Sequence, residues 1–214
     1  MRILLLLLAA AVVSGCPSNK NSDSYSRKAS GHPVRETVVW QPVAPGIWTS
    51  DIGTPETVDL LGMAGSTPRM DALARKGAVA FPLQGADISS VVHDGKTYLR
   101  FPLDDSEQIY GLGLHFQSVH QRGKIFRLHV DHYGEQDNGR THAPVPFYIS
   151  SKGYGVLINA ARYIDIWVGT AVRKESPHPP KARDRTTDPE WSAQPPSDVV
   201  EILIPADGVS VYVF

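Results

Sequence analysis

The sequence predicts an all-β chain folded as a large antiparallel β-sandwich, and three observations carry that prediction. From Val34 onward, short apolar runs are broken at close spacing by Gly, Pro and Asp, the pattern of many short strands joined by turns. Asp94-Gly95 stands between two of these runs, and both residue types accept the positive φ that a two-residue hairpin requires. The chain also holds 17 prolines, which would interrupt any helical alternative repeatedly.

Taken in order, Val38-Val39-Trp40 and Ala78-Val79-Ala80-Phe81 are apolar runs that predict strands. Ile88-Ser89-Ser90-Val91-Val92 and Thr97-Tyr98-Leu99-Arg100-Phe101 flank the Asp94-Gly95 turn and form the predicted hairpin. Further strands are expected over 125–130, 145–150, 155–159, 164–168 and 199–204, with a last one over 209–214. A short helix is expected only over 68–77, through Met70, Leu73 and Ala74. Residues 173–197 break the pattern: mixed charge, Pro179-Pro180 and Pro195-Pro196, and no sustained apolar period. A loop of that length is read either as a binding element or as a disordered excursion.

The N-terminus has a separate logic. Met1-Arg2 is followed by an unbroken apolar run from Ile3 to Val13. The run is shorter than the roughly 20 residues a membrane-spanning helix needs, and it fits a secretory signal. Val13-Ser14-Gly15-Cys16 closes it, and Cys16 is the single cysteine, which excludes an internal disulfide. Small residues ahead of that cysteine resemble a bacterial lipobox; the alternative is an ordinary signal cleavage region in which Cys16 falls by chance. Lipidation there would place several acyl chains in a membrane, enough for stable anchoring at the bacterial cell envelope, periplasmic or surface-facing. The expected organisation is a lipoprotein signal peptide over 1–15, a flexible tether over 16–33 that is poor in Leu, Ile and Val, and one β-sandwich domain over 34–214. A net charge of −1 gives no general argument for nucleic acid.

Two segments carry a family resemblance. Glu107-Gln108-Ile109-Tyr110-Gly111-Leu112-Gly113 reads as a strand and turn whose glycines supply backbone angles or close approach that a β-carbon would obstruct. Pro146-Phe147-Tyr148-Ile149-Ser150 reads as a strand, turning at Ser151-Lys152-Gly153 into Tyr154-Gly155-Val156-Leu157-Ile158-Asn159. Phe147, Ile149, Val156 and Ile158 are expected in the core by alternation. Together the segments resemble the N-terminal β-sandwich of glycoside hydrolase family 31, the α-glucosidase and α-xylosidase group. The resemblance implies a galactose-mutarotase-like supersandwich. One departure is visible: where the family usually has a glutamate after the second glycine, this chain has Leu114.

The same resemblance suggests where sugar would be met. Between the strand near Val130 and Pro146 lies a loop that, in the family, reaches over the mouth of a catalytic barrel and shapes the outer sugar subsites. Here it offers Asp137, Asn138 and Arg140 as hydroxyl partners, with Tyr133 and His142 as stacking rings. Asn138-Gly139 is also an ordinary turn signal. Arg122 is read either as a donor fork for sugar hydroxyls or as a solvated turn residue. His115, His120, His129, Asp131 and His132 show no recognisable zinc spacing, so no metal and no cofactor is expected.

Retaining glycosidases need two carboxylates about 5 Å apart. In the family both are aspartates on the downstream barrel, and a barrel of about 250 residues has no room after Asn159. None of Asp104, Asp105 and Glu107 is assigned as catalytic. The chain is therefore expected to be the accessory, oligosaccharide-facing part of an α-glycoside hydrolase whose barrel lies outside it, leaving an apolar surface exposed. The alternative is a stand-alone sugar-binding or structural lipoprotein with no chemistry of its own.

Overall fold

The computed structural model describes residues 36–65, 77, 79–115, 118–130, 143–170 and 196–214. The predicted signal, the tether with Cys16, all but the last residue of the helix predicted over 68–77 and nearly all of the 173–197 break lie outside the described residues.

Among the described residues twelve strands form two six-stranded antiparallel sheets, the all-β sandwich that the sequence predicted. The first sheet contains β1 (Glu36–Thr37), β4 (Ser89–His93), β5 (Lys96–Pro102), β11 (Val199–Ile204), β10 (Ile164–Val168) and β7 (Lys124–Leu128), adjacent in that order. The second contains β2 (Gln41–Ala44), β3 (Ile47–Gly53), β12 (Gly208–Val213), β9 (Gly155–Asn159), β8 (Pro144–Ser150) and β6 (Ile109–Gly113). A single core fills the space between them. Leu99, Phe101, Ile166, Ile202 and Ile204 enter from the first sheet, and Val156, Ile158, Val211 and Val213 from the second. Each such side chain contributes about 1.5–3 kcal/mol by leaving water.

Alternation places these residues, since neighbouring side chains on a strand point to opposite faces. The Asp94-Gly95 hairpin forms as expected, with φ of 52° and 70°. Gly111 and Gly113 both adopt positive φ, 102° and 103°. A β-carbon on Gly111 would sit 2.7 Å from the Phe147 carbonyl oxygen, and one on Gly113 2.9 Å from Pro144 Cα. Both glycines are required by close approach to β8. Pro146, which has no N–H to give a ladder, lies on β8 where the register with β6 shifts between Gly111 and Gly113.

The structure corrects three expectations. Val38-Val39-Trp40 is not a strand, because the chain there leaves β1 in one sheet and enters β2 in the other. Val79-Ala80-Phe81 is irregular, although Phe81 packs its ring 5.3 Å from both Trp40 and Trp48. On β8 the alternation has the opposite parity: Tyr148 is buried opposite Val156, whereas Ile149 is 48 % exposed and Phe147 half-buried. A short helix, α1 (Leu60–Met63), was not anticipated; Asp59 caps it by accepting from Gly62 N at 2.7 Å.

Candidate functional site

Five of the six predicted sugar-contacting residues, Tyr133, Asp137, Asn138, Arg140 and His142, lie outside the described residues, as does Asp131. The ends of their loop are described. It leaves β7 of the first sheet and enters β8 of the second, where Leu114 N donates to Ala143 O at 3.1 Å. The candidate loop therefore connects a strand of the first sheet to a strand of the second.

Arg122 is held by backbone carbonyls. Its Nη1 donates to the carbonyls of Asp104 at 2.6 Å and Glu107 at 2.7 Å. The guanidinium clasps the turn that leads into β6, and Lys124, which follows shortly, begins β7.

That turn is built around Glu107, which is buried. One carboxylate oxygen accepts from Tyr154 OH at 2.6 Å and from Ser150 Oγ, and the other accepts from Asp104 N at 3.0 Å. Burial first, then the Glu107 hydrogen bond and charge, push the Tyr154 hydroxyl well above the ordinary tyrosine range. Desolvation pushes the fully buried Tyr148 hydroxyl in the same direction. Asp104 is held below the usual carboxylate range by the Ser106 N–H and by Lys152, whose Nζ lies 3.2 Å away. Asp104 and Glu107 are thus both engaged in holding the turn. Among the described residues no group of three or more His, Cys, Asp or Glu could hold a metal ion.

The outer face of the second sheet carries an apolar strip across β6, β8 and β9. Register places Tyr110 beside Ile149, Ile149 beside Gly155, and Phe147 beside Leu157. Gly155 exchanges both backbone hydrogen bonds with Phe214, whose ring meets Phe147 edge-on at 5.9 Å. Tyr110, Val145, Ile149 and Phe214 are between 37 % and 48 % exposed. With Phe147 they form one strip, of which sequence alternation assigned Phe147 and Ile149 to the interior.

Comparison with known proteins agrees with this architecture. Residues 49–166, more than half of the chain, match the glycosyl hydrolase 31 N-terminal galactose mutarotase-like domain. The chain is 29 % identical over 85 residues to an isomaltosyltransferase of Sporosarcina globispora, covering 40 % of this chain and 7 % of that protein. It is 35 % identical over 85 residues to alpha-xylosidase XylQ of Lactiplantibacillus pentosus, covering 36 % of this chain and 10 % of that protein. The chain thus spans a tenth or less of the length of these relatives. Among solved structures, a family 31 dextranase of Flavobacterium johnsoniae complexed with glucose aligns over 86 % of this chain and 24 % of its own, with 15 % identity and a TM-score of 0.49. A cycloalternan-forming enzyme of Listeria monocytogenes aligns over 61 % of this chain and 10 % of its own, at 19 % identity and a TM-score of 0.39. The described residues contain no catalytic barrel. The chain belongs to the glycosyl hydrolase 31 N-terminal galactose mutarotase-like domain family.

Proposed function

We propose that this domain is the accessory part of an α-glycoside hydrolase that cleaves O-glycosyl bonds with retention, and that a catalytic barrel carrying the two carboxylates docks on the apolar face of its second sheet. The observation that carries this reading is the strip formed by Tyr110, Ile149, Phe147 and Phe214, since contiguous exposed apolar surface of this kind marks a contact site. Family membership gives the partner its class. Glu107 and Asp104 are occupied by structural hydrogen bonds, so the chemistry is placed on the partner. In this reading Tyr133, Asp137, Asn138, Arg140 and His142 reach from the bridging loop toward the outer sugar units of an oligosaccharide. Cys16 carries the lipid that holds the assembly at the cell envelope.

The test begins with the coding sequence beyond the Phe214 codon, which should continue in frame into a barrel with paired aspartates. The full chain alone should not hydrolyse 4-nitrophenyl α-glucoside or α-xyloside. It should co-purify with the separately produced barrel, and Ile149→Lys should weaken that association at least tenfold, about 1.4 kcal/mol. Hydrolysis by the chain alone, or barrel binding indifferent to Ile149→Lys, would overturn the reading. Incorporation of labelled palmitate, abolished by Cys16→Ser, tests the anchor.

A further inference from the structure

The outer face of the first sheet is chemically unlike that of the second. Register lays Arg127, Asp165, Leu203, Tyr98 and Val91 side by side across five strands, all pointing away from the main core. Val91, Tyr98, Trp167 and Leu203 form a second, smaller buried cluster on this face. Beside it runs a groove of about 500 Å³, floored by Trp167 and Leu203 and rimmed by Tyr163, Lys96, Arg127 and Asp165.

We propose that this groove is a saccharide-binding platform, on which one pyranose unit of an oligosaccharide stacks against Tyr163 while its hydroxyls meet the Arg127–Asp165 pair. A pyranose presents apolar C–H faces and a rim of hydroxyls that both donate and accept. Its natural counterpart is a ring face beside mixed donors and acceptors over an apolar floor, and the groove supplies each part. Tyr163 is 66 % exposed. Arg127 Nε and Nη2 donate to the two Asp165 oxygens at 2.7 and 2.9 Å, leaving further guanidinium N–H groups and carboxylate lone pairs for hydroxyls. The opposite rim carries the Lys96 ammonium.

What distinguishes this face from a scatter of surface side chains is that its exposed groups are already held. The Tyr163 ring is braced by His129, with centroids 5.1 Å apart at 52°. The two-pronged ion pair fixes both of its planar groups. Side chains immobilised before the ligand arrives lose little entropy on binding, which is the condition for useful affinity at an open site. The charged side chains on the face, Lys96, Arg100 and Arg127 with Asp165 and Glu201, leave it without the anionic field that would repel an acidic sugar.

The platform lies on the opposite sheet from the proposed barrel contact, so the two readings fail separately. The test is native electrophoresis of the full chain through gels containing dextran, soluble starch or xyloglucan. At least one polysaccharide should retard it. Tyr163→Ala should weaken retardation roughly tenfold, Tyr163→Phe should preserve it because the ring face does the work, and Tyr110→Ala on the other sheet should leave it unchanged. Should Tyr163→Ala fail to fold, a saturable change in tryptophan fluorescence on adding the retarding polysaccharide, removed by Trp167→Phe, serves in its place. No retardation by any of the three, retardation indifferent to Tyr163→Ala, or equal loss in Tyr110→Ala would overturn the proposal.

Discussion

Replacing Glu107 with glutamine tests whether a buried carboxylate organises the start of β6. In the native chain one oxygen accepts two hydroxyl hydrogen bonds, from Tyr154 and Ser150, and the other accepts the Asp104 N–H. A glutamine side chain keeps one acceptor oxygen. If that oxygen serves the hydroxyls, its NH2 faces the Asp104 N–H, donor against donor, and a backbone group is orphaned at about 1–3 kcal/mol. The two remaining bonds lose their charge, and the gap between charged and neutral hydrogen bonds is about 1 kcal/mol each. The expected loss is about 3–5 kcal/mol, a large part of the 5–15 kcal/mol typical of a domain. Tyr154→Phe removes one charged hydrogen bond and should cost about 1.5–3 kcal/mol. Because the two residues share that bond, the double variant should lose at least about 1 kcal/mol less than the sum of the single losses. Urea unfolding with linear extrapolation reads all three. A Glu107→Gln variant within 1 kcal/mol of the native chain, or strict additivity, would refute the hub.

Three further outcomes follow. Tyr148 and Tyr154 both titrate above the ordinary tyrosine value of 10.0, so the folded state retains protons that the unfolded chain gives up. Stability should therefore be fully present below about pH 10 and fall above it by about 1.4 kcal/mol per pH unit for each tyrosine; Tyr154→Phe should lower that slope, measured by urea unfolding from pH 9 to 11. Gly113→Ala forces a β-carbon into the β8 backbone at a φ of 103°, and should cost about 2–6 kcal/mol by thermal or urea unfolding. Ile149→Lys, on an exposed position, should change the stability of the isolated chain by no more than about 0.5 kcal/mol while reducing dye binding and concentration-dependent self-association, read by fluorescence and light scattering.

Where the sequence was legible, the signal was local. Asp94-Gly95 names its own turn, and β9, β10 and β11 are β-branched runs whose limits coincide with those expected. Phe147 and Ile149 show the limit of that signal. Both faces of β8 are apolar, so period two is visible but its phase is not; pairing of Tyr148 with Val156 decides the phase, and that is a relation between strands. β3 was missed because Thr49, Ser50 and Asp51 look like a turn, although Trp48, Ser50 and Ile52 alternate inward. Arg122 could not have been assigned from sequence at all, since its acceptors are backbone carbonyls 18 and 15 residues away. The bridging loop was located by resemblance, and its individual side chains carry no periodic signature that would rank them.

A two-layer sandwich leaves two outer faces, and alternation uncouples each from the core residues of the same strand. On β10, Ile164, Ile166 and Val168 supply the interior while Asp165 faces Arg127 in the groove. On β8, Tyr148 supplies the interior while Phe147 and Ile149 make the apolar strip. Residues of one parity can therefore change without disturbing those of the other, and the two faces can acquire different partners on one scaffold. The chemistry divides accordingly. An apolar strip suits a permanent neighbour that excludes water, whereas a braced ring beside an ion pair suits a hydrated ligand that comes and goes. If both proposals hold, such a division holds a polysaccharide on one sheet while the proposed barrel works from the other, raising the local concentration of substrate through the domain itself.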